Sequence, residues 1–404
     1  MSFLPPRWKL IREINRIRRR LMVAPSRIFA KTLAPIYYDL VLSKSSRTFE
    51  GAFGFVPNVA IYLIFPNDGV KASHLVSLRN IIEAGYAPLV ISNLALSESD
   101  RDLLLGQCWK LIERPNFGYD FGGYRDGILS LKSVLPNLNH LALLNDSCWF
   151  PLDNSQNWLN DADSMGLDLV AAAFHGAVDR IKAADYLSSG WGFDPQLHRF
   201  HYGSFALLFG RNILGSAAFV HFWKRYPMTN SKDLTVRLGE VELTKWVVSQ
   251  GFSHGNTCDL SDLPAILAAL SDDRLAEVLR NLILPFDIRL RAILRQFEAV
   301  SERSGAWRAK AEAIALAGAV RTGAAYALSD LLITELGFQF LKKSPLWLER
   351  SASAATLLIA SRMPGQIGAV VRAEAQEILL WHSPEFPSVE AENALAAQAM
   401  RRPE

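Results

Sequence analysis

NVAIYLIFP (58–66) is an apolar run of strand length, and KASHLVSLRNIIEAG (71–85) after it has helical spacing and stops at a glycine. The same alternation continues through YAPLVISN (86–93), a strand, and a short helix over 98–106 that Ser97 is placed to cap. WKLIERP (109–115) reads as the third strand and HLALLND (140–146) as the fourth. Between them Gly122–Leu135 reads as a helix, with Tyr124, Ile128, Leu131 and Leu135 on one stripe. Strands alternating with helices predict an α/β fold with a doubly wound, mostly parallel sheet.

Both ends of the chain depart from this rhythm. In RWKLIREINRIRRRLM (7–22), Leu10, Ile14, Ile17 and Leu21 share one helical face among basic residues. Between Arg7 and Arg47 there are eleven Lys or Arg against Glu13 and Asp39, a local balance of about +9 within a chain of net charge +3. Such a segment fits either an anionic membrane surface or the body of the protein itself. Beyond about residue 262, Ala, Leu and Arg dominate, strands vanish, and helical periodicity runs to about residue 382. Three parts are expected: a basic segment (1–50), an α/β domain (51–262) and a C-terminal α-helical region (263–404).

Composition narrows the classes. The chain has 404 residues and is 50% hydrophobic, enough for a sizeable core. Its three cysteines, Cys108, Cys148 and Cys258, show no metal-ligand spacing, which suits a reducing compartment. No apolar run reaches the length of a spanning helix, and the N-terminus lacks a signal peptide's apolar core. A cytoplasmic protein, peripheral on the inner face of the cell membrane, is expected. No nucleic-acid-binding module accompanies the basic segment, so no nucleic-acid partner is expected. PNDGVKAS stands where a dinucleotide enzyme would carry its GxGxxG.

Two stretches carry candidate chemistry. LALLNDS (141–147) is an apolar strand ending abruptly in Asn145, Asp146 and Ser147. Ligands of open parallel sheets bind beyond the carboxyl ends of strands, where an acidic residue can hold a metal that bridges a diphosphate. It can equally close the strand with a turn. NFGYDFGGYRDG (116–127) packs four aromatics, four glycines, two aspartates and an arginine into twelve positions. It lies on the same edge. Asp120 is placed to cap the next helix, Gly122 and Gly123 leave room for a ligand, and Asn116 and Tyr119 offer hydrogen bonds.

Together these pieces resemble the nucleotide-sugar half of GT-A glycosyltransferases. More narrowly, NVAIYLIFP, RPNFGYDFGGYRDGI, HLALLNDSCWFPL, YGSFALLFGRNIL and GEVELTKWVVSQGF resemble the rhamnan synthesis protein F family, over roughly residues 50–260. The resemblance implies a GT-A-like transferase moving rhamnose or a related deoxyhexose from a nucleotide-sugar donor to a growing surface polysaccharide or lipid-linked glycan. It implies that Asn116, Asp120 and Asp146 face the donor, Asp146 as the metal or diphosphate contact, with Asn145 and Ser147 in support. The chain has Asn-Asp-Ser where many such enzymes have Asp-x-Asp, so a divalent metal (Mg2+ or Mn2+) stays open.

The base must come from later in the chain. In LGEVELTKWVVSQGF (238–252), Glu240 falls on the apolar side of a helix among Val241, Leu243, Val247 and Val248, and Glu242 points away. A carboxylate there costs stability unless paired or functional. Glu240 also aligns with the family's helix motif. It is the expected base of an inverting displacement, with an ion pair to Arg125 or Arg211 as the structural alternative. SSGWGFDPQLHRFHYGSFALLFGR (188–211) offers Trp191, Asp194, His201, Tyr202 and Ser204 for an acceptor sugar. His254 is a further candidate for the metal or diphosphate. Trp307, Trp347 and Trp381 are read as core. A scaffold that binds a nucleotide without transfer is the competing function.

Overall fold

The computed structural model describes residues 33–153, 156–285, 287–299 and 305–382, with short stretches up to residue 398. The amphipathic segment 7–22 lies outside them. A helix over 33–40 (α1) precedes twelve strands. They are β1 (Arg47–Glu50), β2 (Asn58–Ile64), β3 (Ala87–Ser92), β4 (Lys110–Glu113), β5 (His140–Asn145), β6 (Cys148–Trp149), β7 (Leu169–Ala171), β8 (Phe174–His175), β9 (His201–Tyr202), β10 (Ala206–Gly210), β11 (His254–Asn256) and β12 (Leu341–Lys342). Helices α2 (Ala72–Glu83), α3 (Glu98–Leu105) and α4 (Tyr119–Ser130) connect β2 through β5.

Eight strands form one sheet in the order β1-β4-β3-β2-β5-β10-β7-β11. The pairings β4-β3, β3-β2, β2-β5 and β7-β11 are parallel. The pairings of β1 with β4, and of β10 with β5 and β7, are antiparallel. The expected α/β class with a mostly parallel sheet is found. The sheet is buried on both faces, which is why β2 and β3 are apolar almost without alternation. Ser97 does cap α3, its side chain accepting from Asp100 N at 3.1 Å.

Helix α4 starts earlier than its sequence suggests. Its N-cap is Gly118, with φ +86°, so Asp120 is not the cap but sits in the first turn. Tyr119 follows with φ +49°, left-handed in a residue with a bulky side chain. Gly122 and Gly123 serve packing rather than ligand access. A Cβ on Gly122 would fall 2.2 Å from Phe117 O, and one on Gly123 would fall 2.4 Å from Leu63 Cδ1 of β2. Bare backbone lets α4 lie close on the sheet. All four expected stripe residues, Tyr124, Ile128, Leu131 and Leu135, are buried.

The C-terminal region is helical, but β12 adds a strand beyond residue 262 and pairs antiparallel with β6, just after the Asn145–Ser147 turn. Phe340 stacks on Phe150 with centroids 4.6 Å apart. One buried cluster runs from α1 through the sheet to Leu331 and Phe340. The packing therefore holds the C-terminal segment against the carboxyl end of β5.

A candidate active site at the carboxyl edge of the sheet

A cavity of about 510 Å³ opens at this edge. The start of α4 gives it Tyr119 and Asp120, and the end of β5 gives Asn145 and Ser147. His201 comes from β9, Ser204 from the link between β9 and β10, and Glu240 from a π-helical turn (Arg237–Val241). The C-terminal region contributes Tyr326, Lys342 and Trp347, and Lys232 completes the charged wall.

Glu240 is held from several sides. Ser204 N and Oγ donate to its Oε1 at 3.2 and 2.6 Å, and His201 Nε2 stands 3.7 Å from Oε2. Thr244 Oγ1 donates to Glu240 O at 2.9 Å. The expected single α-helix is a π turn followed by an α-helix (Glu242–Ser249). Such turns recur at functional sites. Gly239 lets this turn pack against Phe121, since a Cβ there would fall 2.6 Å from the ring. The alternative pairings are excluded: Arg125 binds Asp39 through both amino groups at 2.8 and 2.7 Å, and Arg211 binds Asn139.

Asp120 accepts from Asn145 Nδ2 at 3.1 Å. Burial first, then the negative charge of Asp146, push its carboxyl up to about 6, with Lys342 opposing. Asn145 Oδ1 in turn accepts from Ser147 N and Oγ at 3.2 and 2.6 Å. Lys342 Nζ lies 3.4 Å from Ser147 Oγ and 4.0 Å from the Phe205 ring centroid. Two carboxylates and two ammonium groups thus share one chamber.

Asp146 is not among the lining residues. Its Oδ2 accepts from Phe65 N at 2.7 Å and lies 3.4 Å from His74 Nε2. His74 Nδ1 accepts from Lys71 N at 3.1 Å, so Nε2 carries the proton that faces Asp146. Burial works to raise the Asp146 carboxyl, but the His74 bond and Lys343 outweigh it and hold it below its ordinary value. His254 lines a different cavity with Asn256 and Asp259, and its Nδ1 is 2.8 Å from Tyr202 Oη. Asp146 and His254 therefore do not form the expected metal pair. Among the described residues no three His, Cys, Asp or Glu side chains cluster as a metal site.

The remaining candidates separate in the same way. Asn116 is exposed and outside the lining. Trp191 donates to Leu260 O and packs near Phe174, while exposed Asp194 closes a turn with Gln196 N. Tyr202 is buried. Of the proposed acceptor set, His201 and Ser204 reach the cavity. Trp347 does so as well, and stacks on His382 with centroids 4.6 Å apart, so it is not simple core. Trp381 is exposed and Trp307 buried. Sequence reading missed Lys232, Lys342 and Tyr326, which carry no spacing signal; the adjacent lysines in FLKKSPLW were the one visible hint.

The chain matches the family model for rhamnan synthesis protein F over residues 89–301, more than half its length. It belongs to that family. This member of the rhamnan synthesis protein F family is 31% identical over 244 residues to the uncharacterized protein y4gN of Sinorhizobium fredii (strain NBRC 101917 / NGR234). The match covers 60% of this chain and 59% of the relative, so the chain spans about three fifths of the curated relative's length. Among solved structures it is similar to core-mannan synthase A from Aspergillus fumigatus in an Mn/GDP form (TM-score 0.25, 11% identity, 42% of this chain and 63% of that one). The mannosyltransferase Ktr4p from S. cerevisiae gives a TM-score of 0.23 at 10% identity, covering 50% and 69%.

Proposed function

We propose that the protein is a glycosyltransferase that moves a sugar from a nucleoside-diphosphate donor to an acceptor hydroxyl in the chamber at the carboxyl edge of the sheet. A GT-A-like inverting displacement, with rhamnose or a related deoxyhexose as the sugar and a surface glycan as the acceptor, is the fuller form of the reading. The observation that carries it is the convergence of Asp120, Asn145 and Ser147 with Glu240, His201 and Lys342 on one cavity. Glu240 takes the acceptor proton as the acceptor oxygen attacks the anomeric carbon. The bond from that carbon to the diphosphate oxygen breaks, and the diphosphate leaves with the electron pair. Lys342 and Lys232 offset its charge. Asp120 and Asn145 orient the donor.

The donor set does not fit a chelated metal, because Asp146 does not line the chamber and its Oδ2 is already held by Phe65 N and His74. Attachment to the inner membrane surface is supported by α1, where Leu33, Ile36, Tyr37 and Leu40 are exposed at helical spacing, with Val41 just after it, while Ala34 and Tyr38 are buried. No helix among the described residues is long and apolar enough to cross a membrane.

Calorimetry of the full chain with dTDP, UDP and GDP, in EDTA and then with Mg2+ or Mn2+, tests the reading. One nucleotide should bind, and its sugar donor should be consumed in the presence of a polysaccharide primer. Binding without transfer favours the scaffold. A folded protein that binds none of the three refutes the site.

A further inference from the structure

A second cavity of about 540 Å³ adjoins the first and shares His175, His201 and Val236 with it. Its wall is strongly basic. Arg180 comes from the loop after β8, His198 and Arg199 from the loop before β9, Arg237 from the π turn, and Lys245 from the following helix. Arg321 also lines it but is engaged, donating to both oxygens of Asp287 and to Ile181 O. Arg180, Arg199, Arg237 and Lys245 are exposed, and none is in an ion pair among the described residues. Glu242 is the one acidic side chain in the lining.

These cations converge rather than scatter. Partial burial, then the charges of Arg321 and Arg199, lower Arg180, with Asp287 partly relieving it. Burial, followed by His201, Arg180 and Arg199, pushes His175 down to about 4, so its ring is neutral near pH 7. Four unpaired cations held together around a concave space repel one another, and a multivalent anion relieves that repulsion. Guanidinium forks match phosphate oxygens in pairs.

We infer that this second cavity binds a phosphate or diphosphate group of the acceptor, with Arg180, Arg199, Arg237 and Lys245 as its ligands. The inference rests on the transferase reading. The two cavities meet at His201, which stands beside Glu240, so a phosphate held there presents the attached sugar to the base side of the chamber. The donor diphosphate occupies the Lys342 side. The reading therefore requires two anion subsites, one per substrate.

The test uses inorganic pyrophosphate on the full chain already saturated with its nucleotide, in EDTA, by calorimetry. Pyrophosphate should bind a second site. Arg180→Ala/Arg237→Ala should weaken it at least about tenfold, and the paired lysine substitutions should recover part of the loss. Lys132→Ala/Lys224→Ala, at exposed cations outside the lining, should leave it unchanged. Phosphatidylcholine vesicles carrying a polyprenyl diphosphate repeat the titration. Vesicle binding that is lost with the arginines assigns a lipid-borne phosphate. Pyrophosphate binding without vesicle binding assigns a soluble phosphate ester. No second pyrophosphate site, or equal loss in the lysine control, overturns the inference. Failure of the nucleotide itself to bind overturns the transferase reading instead, and the loss of pyrophosphate binding in Arg180→Ala/Arg237→Ala against the lysine control then still reports on the basic cavity.

Discussion

Ser204 donates both its backbone N–H and its hydroxyl to a single oxygen of Glu240, leaving the other oxygen facing His201 at 3.7 Å. One oxygen is anchored, and the second has room for an acceptor proton. Glu240→Gln should therefore cut kcat by roughly 10²–10⁴-fold while the nucleotide affinity stays within about twofold. Ser204→Ala, which frees the carboxylate to rotate, should cost less. Steady-state kinetics beside nucleotide calorimetry reads both quantities. A wild-type rate in Glu240→Gln removes this residue from the base role.

Asp120 is a charge held against its environment. Its carboxyl is raised from 3.8 to about 6 by burial and then by Asp146. A raised carboxyl stabilises the fold while it is protonated. That contribution is complete below about pH 4 and disappears as pH rises through about 6. Asp120→Asn mimics the protonated form. It should raise stability by about 1 kcal/mol at pH 8 and by nothing measurable near pH 4, while weakening donor turnover. Urea denaturation at the two pH values checks the sign. A stability gain at pH 4 that equals the gain at pH 8 contradicts the electrostatic account.

Lys342 should carry much of the affinity for a leaving diphosphate. Lys342→Ala should weaken nucleoside-diphosphate binding by about 10–100-fold, the loss of a charge-assisted contact. Lys342→Arg should retain most of it. Binding in EDTA should match binding in Mg2+ within about twofold, since the cation comes from the chain. A nucleotide that binds only with added metal would assign the charge to an ion and not to Lys342.

The core of the fold was legible because its signals are local. Continuous apolar runs bounded by glycine and helical spacing marked β2 through β5 and their helices. Ser97 was recognisable as a cap from its position alone. The site was legible in part, since Asp120, Asn145, Ser147 and Glu240 sit where strand ends and a misplaced carboxylate put them. What escaped depends on contacts distant in sequence. Lys342 reaches Ser147 across 195 residues. Asp146 looked like the ligand of the strand end, but His74 of α2 and Phe65 N had already taken its oxygen. The glycines of α4 read as ligand space because nothing in the sequence shows Leu63 pressing on Gly123. Antiparallel β10 and the small β12 strand are likewise tertiary outcomes.

Lys342 ends β12 and Lys343 follows it directly, and the two side chains part: Lys342 lines the cavity and Lys343 is buried. Lys343 Nζ sits 2.6 Å from Glu374 Oε1 and 3.4 Å from Ser73 Oγ of α2, and both charged side chains are almost wholly buried. Burial works to raise Glu374, but Lys343 outweighs it and holds the carboxyl below its ordinary value. Lys343→Met leaves that carboxylate alone in the interior and should cost about 3–5 kcal/mol. The loss should shrink as pH falls and Glu374 takes up a proton. Lys343→Met/Glu374→Leu should recover most of it, because the pair's Coulomb gain is largely spent on its own desolvation. Since Lys343 fixes the strand that carries Lys342, the single variant should also weaken nucleotide binding, and the double variant should restore it. Chemical denaturation and nucleotide calorimetry on the three proteins measure both effects. A double variant as unstable as the single one would show that β12 is held by the charge pair itself and not by the packing around it.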